Sequence, residues 1–561
     1  MIGYRIFSSI FFSNEIIIEY GITPFNIVTE QPVLWHYIKI LFIISYIFSS
    51  LIISNSFFSI IKNFKCKSAK SKKHSHKTHI KKENYPFLTP NNNSLSLLVG
   101  KSELTDNNIY LPEKSLYQNI LITGTIGSGK TSSAIYPFTK QLIAYMHNNE
   151  AKKLGMLILD VKGNYSSKVL EFAKLYNREN DVIVIELNGK YKYNPLDKPN
   201  LKASVLANRL KTILLLFSKN NSESFWLDKA EEVLKESIKI CRLYNNNYVT
   251  FEELHKLISQ PNYYKEKIEL LRQKFIASQF NEAQVYDLLT AITFFEKEFL
   301  LLDSRTLSIL KSEITRITNC FISEYEILNT FSPPISDINF KGFEDVINKG
   351  KIVVLNMNIS EYRNLSKIIA AYLKLDFQSE VLMRLAKSEN NNFRSVCFIS
   401  DEYHEYCVDT DADFFAQSRE AKCINIVATQ SYTSLLNTLN SQSTVKVITQ
   451  NLINKLWFRT DDIFTIEDAQ KQIGKEDKEK ISKGITENAK ETIYSYFTNS
   501  LNSKDSNISE TISTYIHSDF IYDTNFFTQE LQTFTCLGFL SDGNKILKPQ
   551  KIKLFPYFKK G

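Results

Sequence analysis

The sequence predicts an α/β fold organised around a phosphate-binding loop, with an all-α insertion and an N-terminal transmembrane helix. Three observations predict it. Asn119-Ile-Leu-Ile-Thr123 reads as a short buried strand running directly into Gly124-Thr-Ile-Gly-Ser-Gly-Lys130-Thr131 and then into a helical segment. From Lys202 to about Asn348 apolar residues recur at helical spacing, with strand-like runs on both sides. Ile40 to Ile61 is a run of 22 residues without a charge. The 561 residues are 43% hydrophobic with only 16 Gly and 13 Pro, which excludes collagen-like and broadly disordered chains.

In chain order, residues 1–39 form an N-terminal segment and 40–61 the transmembrane helix. As a helix that run reaches roughly 33 Å, enough for a hydrocarbon core of about 30 Å. Trp35 and Tyr37 stand just ahead of it, where interfacial aromatics sit. A signal peptide would carry its positive charge before the apolar run, and here the charge follows. Residues 62–84 are a basic juxtamembrane linker. Nine lysines against Glu83 give 62–83 a charge of +8 and residues 1–61 carry −1, so of the total +8 only +1 is left for 84–561. The positive flank orients residues 62–561 to the cytoplasm. The near-neutral bulk gives no argument for a nucleic-acid surface. Residues 6–18 are also apolar but short and interrupted by Glu15; inserted or not, they leave the large portion on the same side. His74, His76 and His79 read as part of a solvated linker. None of the seven cysteines forms a C-x-x-C pair, which fits a reducing compartment and speaks against a zinc ribbon or a disulfide framework.

The loop carries the residue types that phosphate binding requires. Gly127 and Gly129 let backbone N–H groups turn toward phosphate oxygens with no Cβ in the way, and Gly124, Thr125, Ile126 and Ser128 complete the loop. Lys130 reaches the β- and γ-phosphates as a point charge, the Thr131 hydroxyl ligates Mg²⁺, and the helix N-terminus adds its partial positive charge. ATP hydrolysis also needs acids at the end of another buried strand. Arg394-Ser-Val-Cys-Phe-Ile-Ser-Asp401-Glu402 supplies them, Asp401 for the Mg²⁺ shell and Glu402 as general base on the attacking water. The next strand, Ile424–Thr429, ends at Gln430, either a sensor of the γ-phosphate or a loop-capping amide.

Within the helical stretch, Trp226, Ala230, Val233, Leu234, Ile238 and Cys241 form one amphipathic stripe. Asn245–Asn247 and Asn390–Asn392 mark loop tips. The polar residues 475–525 are expected to be a mobile surface segment. Phe534–Leu540 and Ile546–Phe558 flank Asp542-Gly543 as a hairpin that completes the sheet. There is no helix-turn-helix, zinc finger or RNP signature.

The order of these motifs resembles that of the coupling proteins of type IV secretion systems, the membrane-anchored ATPases of conjugative DNA transfer. The resemblance rests on the loop at 124–131, Leu157-Ile-Leu-Asp160-Val-Lys-Gly163, and Asp181-Val-Ile-Val-Ile-Glu-Leu leading to Asn194-Pro-Leu-Asp197. It continues through Phe225-Trp226, Lys351-Ile-Val-Val-Leu-Asn356, Asp401-Glu402, Gln430, and Asn451–Gly474 with its Phe458-Arg459-Thr-Asp461. It implies a RecA-like ATPase domain over 85–201 and 349–561, interrupted by the all-α domain 202–348. It also implies a homo-hexamer in the inner membrane with its bulk in the cytoplasm, type IV secretion channel proteins as partners, and DNA with a relaxase-type protein as cargo. Arg419 lies where such proteins carry an arginine that acts on a neighbouring subunit; a surface ion pair is the other reading of it. Asp160-Val-Lys-Gly-Asn164 departs from the family's Asp-Pro-Lys-Gly-Glu, so no catalytic acid is expected from the lost position. Two other functions use the same residues. A HerA- or chromosome-partitioning-type DNA pump leaves Asn194–Asp197 and the large insert unexplained. A non-motor docking receptor for protein effectors leaves the intact Lys130, Thr131, Asp401 and Glu402 unexplained.

Overall fold

The computed structural model describes residues 30–31, 33–41, 44, 94–160, 162–216, 224–277, 279–357, 359–387, 393–487, 492–495, 500–503 and 508–558. It divides into two units, Met1–Tyr85 and Pro86–Lys560. In the first, residues 33–41 are helical, with Trp35 buried, Tyr37 exposed and the Lys39 ammonium 5.5 Å from the Trp35 ring centre. The two aromatics expected at a membrane interface are thus not alike, and only Tyr37 faces outward. Of the apolar run at 40–61 only Ile40, Leu41 and Ile44 are described, and the linker at 62–84 lies outside the described residues. Among the described residues no helix is long and apolar enough to cross a membrane.

The second unit is built on an 11-stranded sheet. Its strands are β1 (Ser96–Ser102), β2 (Asn108–Pro112), β3 (Ile120–Thr123), β4 (Gly155–Leu159), β5 (Val182–Ile185), β6 (Ile352–Leu355), β7 (Val396–Ser400), β8 (Cys423–Thr429), β9 (Asn454–Phe458), β14 (Thr535–Phe539) and β15 (Gln550–Lys553); β10 (Lys475–Glu487), β11 (Thr492–Ser495), β12 (Ser500–Ser503) and β13 (Ile508–Phe520) lie outside it in two two-stranded sheets. In space they run β2-β1-β15-β14-β9-β3-β8-β7-β4-β6-β5. From β9 to β5 all pairings are parallel. These strands are near-continuous apolar runs, as strands covered on both faces must be. Alternate residues serve opposite cores. Ile120, Ile122, Met156 and Ile158 pack with α1 (Tyr136–Ala144) and α2 (Tyr165–Leu175), whereas Leu121, Leu157 and Leu159 belong to the core on the other face. The remaining strands extend the sheet antiparallel. β14 joins β9 with Leu537 opposite Trp457, and β15 returns along β14 with Gly538 opposite Gln550, so the expected terminal hairpin forms.

Between β5 and β6 the described elements are all helical: α3 (Ala203–Leu215), α4 (Ser224–Tyr244), α5 (Phe251–Ser259), α6 (Pro261–Ile276), α7 (Glu282–Phe294), α8 (Ser304–Ile322) and α9 (Tyr325–Phe331), with short turns after them. The predicted stripe lies inward on α4, where Ala230, Val233, Leu234, Ile238 and Cys241 are buried. These residues share one continuous core with Leu157, Val353 and Phe398 of the sheet, so the insertion is no separate globule. A buried carboxylate locks its entry. Asp376, on α10 (Ile359–Lys387), binds Lys198 at 2.7 Å, Arg209 at 3.0 Å and the Tyr193 hydroxyl at 2.8 Å. Asn194 turns the chain there, accepting from the Leu196 amide and donating to the Val249 carbonyl. The Asn-Pro-Leu-Asp element therefore serves the junction between sheet and insertion.

Within the surface segment expected to be mobile, the described residues form strands. β10 (Lys475–Glu487) pairs antiparallel with β13 (Ile508–Phe520) over their full length, and β11 (Thr492–Ser495) pairs with β12 (Ser500–Ser503). Interleaved Lys, Glu and Ser hid an even-numbered spacing: Ile512 and Ile516 share a face with Ile481, whose partner is Thr514, and all three isoleucines remain exposed.

Candidate active site

β3 delivers the phosphate loop between the carboxyl ends of β8 and β9, where open parallel sheets bind ligands. The loop is tied to both neighbours. The Gly124 amide donates to the Gln430 carbonyl (3.2 Å), and the amide and hydroxyl of Thr125 both donate to the Arg459 carbonyl (2.8 and 3.1 Å). Ser128 Oγ donates to the Thr125 carbonyl at 2.8 Å. Gly127 and Gly129 take φ of +78° and +101°, which favours glycine at both. A Cβ on Gly129 would also lie 2.6 Å from the Phe534 ring, so loop and ring interlock. The buried Lys130 ammonium donates to the carbonyls of Gly124 and Thr125; burial draws its pKa down, against the pull of Asp401 and Glu402. One wide π turn, Thr131–Ile135, leads into α1. Ile126 is 79% exposed at the tip, so only its backbone belongs to the loop's phosphate-facing side.

The acids come from the ends of β7 and β4. Thr131 Oγ1 donates to Asp401 Oδ2 at 2.7 Å, joining the two predicted metal ligands. Asp401 is buried, which raises its pKa, with Glu402 adding to the rise and Lys162, Thr131 and Lys130 opposing it. Asp160, at the end of β4, accepts from the Lys162 amide through Oδ1 (3.0 Å) while its buried Oδ2 has no hydrogen-bond partner. Burial and the charge of Asp401 push its pKa up to about 6. Three hard oxygens, Thr131 Oγ1, Asp401 Oδ2 and the partnerless Asp160 Oδ2, thus follow or end strands β3, β7 and β4, and Mg²⁺ takes such donors beside phosphate and water.

Glu402 is held in the left-handed region at φ +50°, an uncommon conformation for a residue with a side chain. Lys162 Nζ donates to its Oε1 at 2.7 Å and Gln430 Nε2 to its Oε2 at 3.2 Å. Burial works to raise its pKa, but Lys162 above all, then His404 and Gln430, outweigh burial and hold it below the usual value. His404 Nδ1 lies 3.1 Å from Thr429 Oγ1, and burial lowers its pKa.

Lys130, Thr131, Asp401, Glu402 and Gln430 therefore converge as the sequence predicts. Arg419 does not join them: it is exposed in the turn before β8, at the opposite end of that strand from Gln430. Lys162 was not singled out from the sequence, although the Asp-x-Lys-Gly motif carried it. Beside the loop opens a cleft of about 780 Å³, bordered by Thr125, Gln430, Arg459 and Asp462.

Comparison with known proteins agrees with this fold. Residues 104–287 match the family model of the type IV secretion-system coupling protein DNA-binding domain, which bears out the resemblance read from the motifs. No curated protein matches the chain in sequence. Among solved structures, the bacterial conjugative coupling protein TrwBdeltaN70 in its unbound monoclinic form is similar with a TM-score of 0.53 and 11% identity, over 80% of this chain and 87% of that one. Plasmid coupling protein TrwB with the non-hydrolysable GTP analogue GDPNP gives 0.53 and 12% over 82% and 95% of the two chains. TrwB with ADP and Mg²⁺ gives 0.52 and 11% over 82% and 95%. At this identity the likeness is one of fold.

Proposed function

We propose, for a chain whose residues 104–287 match the model of the type IV secretion-system coupling protein DNA-binding domain, that it is the coupling ATPase of a type IV secretion or conjugation system. It would hydrolyse ATP to recruit DNA, or a DNA–protein complex, and drive its transfer. One observation carries the reading: at the mouth of a phosphate loop, Thr131 bonds Asp401 at 2.7 Å while Glu402 is gripped by Lys162 at 2.7 Å and Gln430 at 3.2 Å. That is a hydrolytic arrangement rather than a binding loop alone. The loop amides and Lys130 hold the phosphates, and Thr131 and Asp401 would hold Mg²⁺, which when bound neutralises charge on the β- and γ-oxygens. Glu402, kept ionised by Lys162, accepts a proton from water as the water oxygen bonds to the γ-phosphorus and the bond to the β-bridging oxygen breaks, releasing ADP and phosphate. Gln430, bonded to Glu402, is the group that registers loss of the γ-phosphate. The nucleotide complexes of TrwB, with GDPNP and with ADP and Mg²⁺, support a nucleoside triphosphate and Mg²⁺ as ligands.

The same reading makes the chain a homo-hexamer anchored in the inner membrane by 40–61, with channel proteins at its membrane face and Arg419 serving a neighbouring subunit. ATP turnover by the full chain in lipid nanodiscs, with and without single- and double-stranded DNA, tests it, with Lys130→Ala as blank. Turnover stimulated by DNA and abolished in the variant is expected. Turnover indifferent to DNA would point to protein cargo, and absence of nucleotide binding would overturn the reading.

A further inference from the structure

Aromatic rings that the hydrolytic residues do not use gather against the phosphate loop. The Phe534 amide donates to the Ser128 carbonyl at 3.1 Å, and its ring occupies the space a side chain at 129 would need. Phe534 itself takes φ +66°, a conformation that a bulky residue adopts only when its surroundings impose it. In the turn that follows the loop the Ser132 carbonyl accepts from the Tyr557 amide at 2.9 Å. Phe558 then packs edge-on to both, 5.9 Å from Phe534 and 5.5 Å from Tyr557. Its neighbours are covered: Tyr136 stacks edge-on to Tyr557 at 5.1 Å, and the Lys168 ammonium lies 5.0 Å from the Tyr557 ring centre. Phe558 alone of this group is left largely open, 53% exposed.

Phe558 packs on two residues, Phe534 and Tyr557, whose amides are bonded at Ser128 and Ser132, so its ring is held close to the phosphate cradle, the amides of this stretch being those that take the α- and β-phosphates. A nucleotide's base lies one ribose beyond the α-phosphate, and so within reach of the ring next to Ser132. We propose that Phe558, backed by Phe534, is the stacking platform for the base of the bound nucleotide. This rests on the nucleotide reading given above. A ring face reads no base edge, so the platform favours purines for their larger surface and discriminates little between adenine and guanine.

Calorimetric titration of the full chain, Phe558→Ala and Phe558→Trp with MgATP, MgGTP and magnesium tripolyphosphate tests the proposal. Loss of a base–aromatic stack costs about 5- to 100-fold in affinity. Phe558→Ala should lose ATP and GTP affinity by that factor while keeping wild-type affinity for tripolyphosphate and an unchanged melting temperature. Phe558→Trp should retain ATP affinity and show a change in tryptophan emission with ATP that tripolyphosphate does not produce. Equal ATP affinity in wild type and Phe558→Ala would overturn the platform while leaving nucleotide binding intact. Binding of neither ATP nor tripolyphosphate by wild type would overturn the nucleotide reading and the platform with it.

Discussion

Glu402 has both carboxylate oxygens occupied, by Lys162 and by Gln430, and each partner has its own consequence. Replacing the carboxylate by an amide keeps the shape and removes the proposed base. Glu402→Gln should therefore lower turnover by about 10²- to 10⁴-fold with ATP affinity little changed; near-wild-type turnover would remove the base assignment. Lys162 stabilises the ionised form, so Lys162→Met should raise the pKa of Glu402. A base must be ionised to work, and the acid limb of the kcat/KM profile should move to higher pH. An unmoved limb would reduce Lys162 to a structural tie. Lys455, away from the site on β9, is also shifted down, but for a lysine that disfavours the charged form. It is 3% exposed, and burial, opposed by Asp468, pushes its pKa down to about 8. The unfolded chain then binds more protons than the folded one between about pH 8 and 10.5, so stability rises with pH across that window. Below it the cost of burying the ammonium is present in full, at most about 3 kcal/mol. Lys455→Met should raise the melting temperature at pH 7 and lose that advantage near pH 10.5.

Strands meet at the end of the sheet remote from the loop through a net of buried amides. Asn454 opens β9, donating to the carbonyls of Ser115 (2.9 Å) and Asn119 (3.1 Å) and accepting from the Ser541 amide (2.9 Å) and the Ser115 hydroxyl (3.1 Å). Asn425 of β8 donates to Asn119 Oδ1 at 2.7 Å. These bonds tie the start of β3 to β8, β9 and the turn after β14. Asn454→Ala strands several buried groups at once and should destabilise the protein by about 2–4 kcal/mol in urea denaturation; a loss within about 0.5 kcal/mol, the usual surface value, would mean water replaces the amide. None of this was legible in the sequence, whereas the strands it joins were. Ile120–Thr123 and Val396–Ser400 are apolar up to a final hydroxyl residue, Cys423–Thr429 is apolar but for Asn425 and its last residue, and the stripe on α4 repeats at helical spacing. The phosphate loop, Asp401-Glu402 and Gln430 were legible for the same reason: each sits at the end of such a run. What escaped depends on contacts between distant residues. Lys162 meets Glu402 across 240 positions, Phe534 meets Gly129 from the far end of the chain, and the apolar face of the β10–β13 hairpin is diluted by charges.

Arg419 is the residue whose two readings differ in whether they need more than one copy of the chain. It precedes β8 and Gln430 follows it, so the seven residues of that strand, at about 3.3 Å each, set them roughly 23 Å apart. No side chain spans that distance, and Arg419 cannot reach the phosphate loop of its own subunit. If it neutralises charge on the transferred phosphoryl group, it does so for a neighbour, which requires a head-to-tail ring in which the turn at 418–422 of one subunit, exposed at Arg419 and Glu420, faces the loop of the next. The two readings of Arg419 predict different mixtures. Arg419→Ala alone should lower turnover by about 10³-fold or more if it acts in trans, and by little if it forms a surface ion pair. Lys130→Ala is inactive for its own reason but still carries Arg419. Co-assembled one to one, half the subunits keep a working loop and half of those face an intact arginine, so about a quarter of wild-type turnover should return. Turnover that stays at the level of the separate variants, with ring assembly intact by light scattering, would leave Arg419 outside the chemistry and require the charge on the phosphoryl group to be met within one subunit, by Lys130 and Lys162.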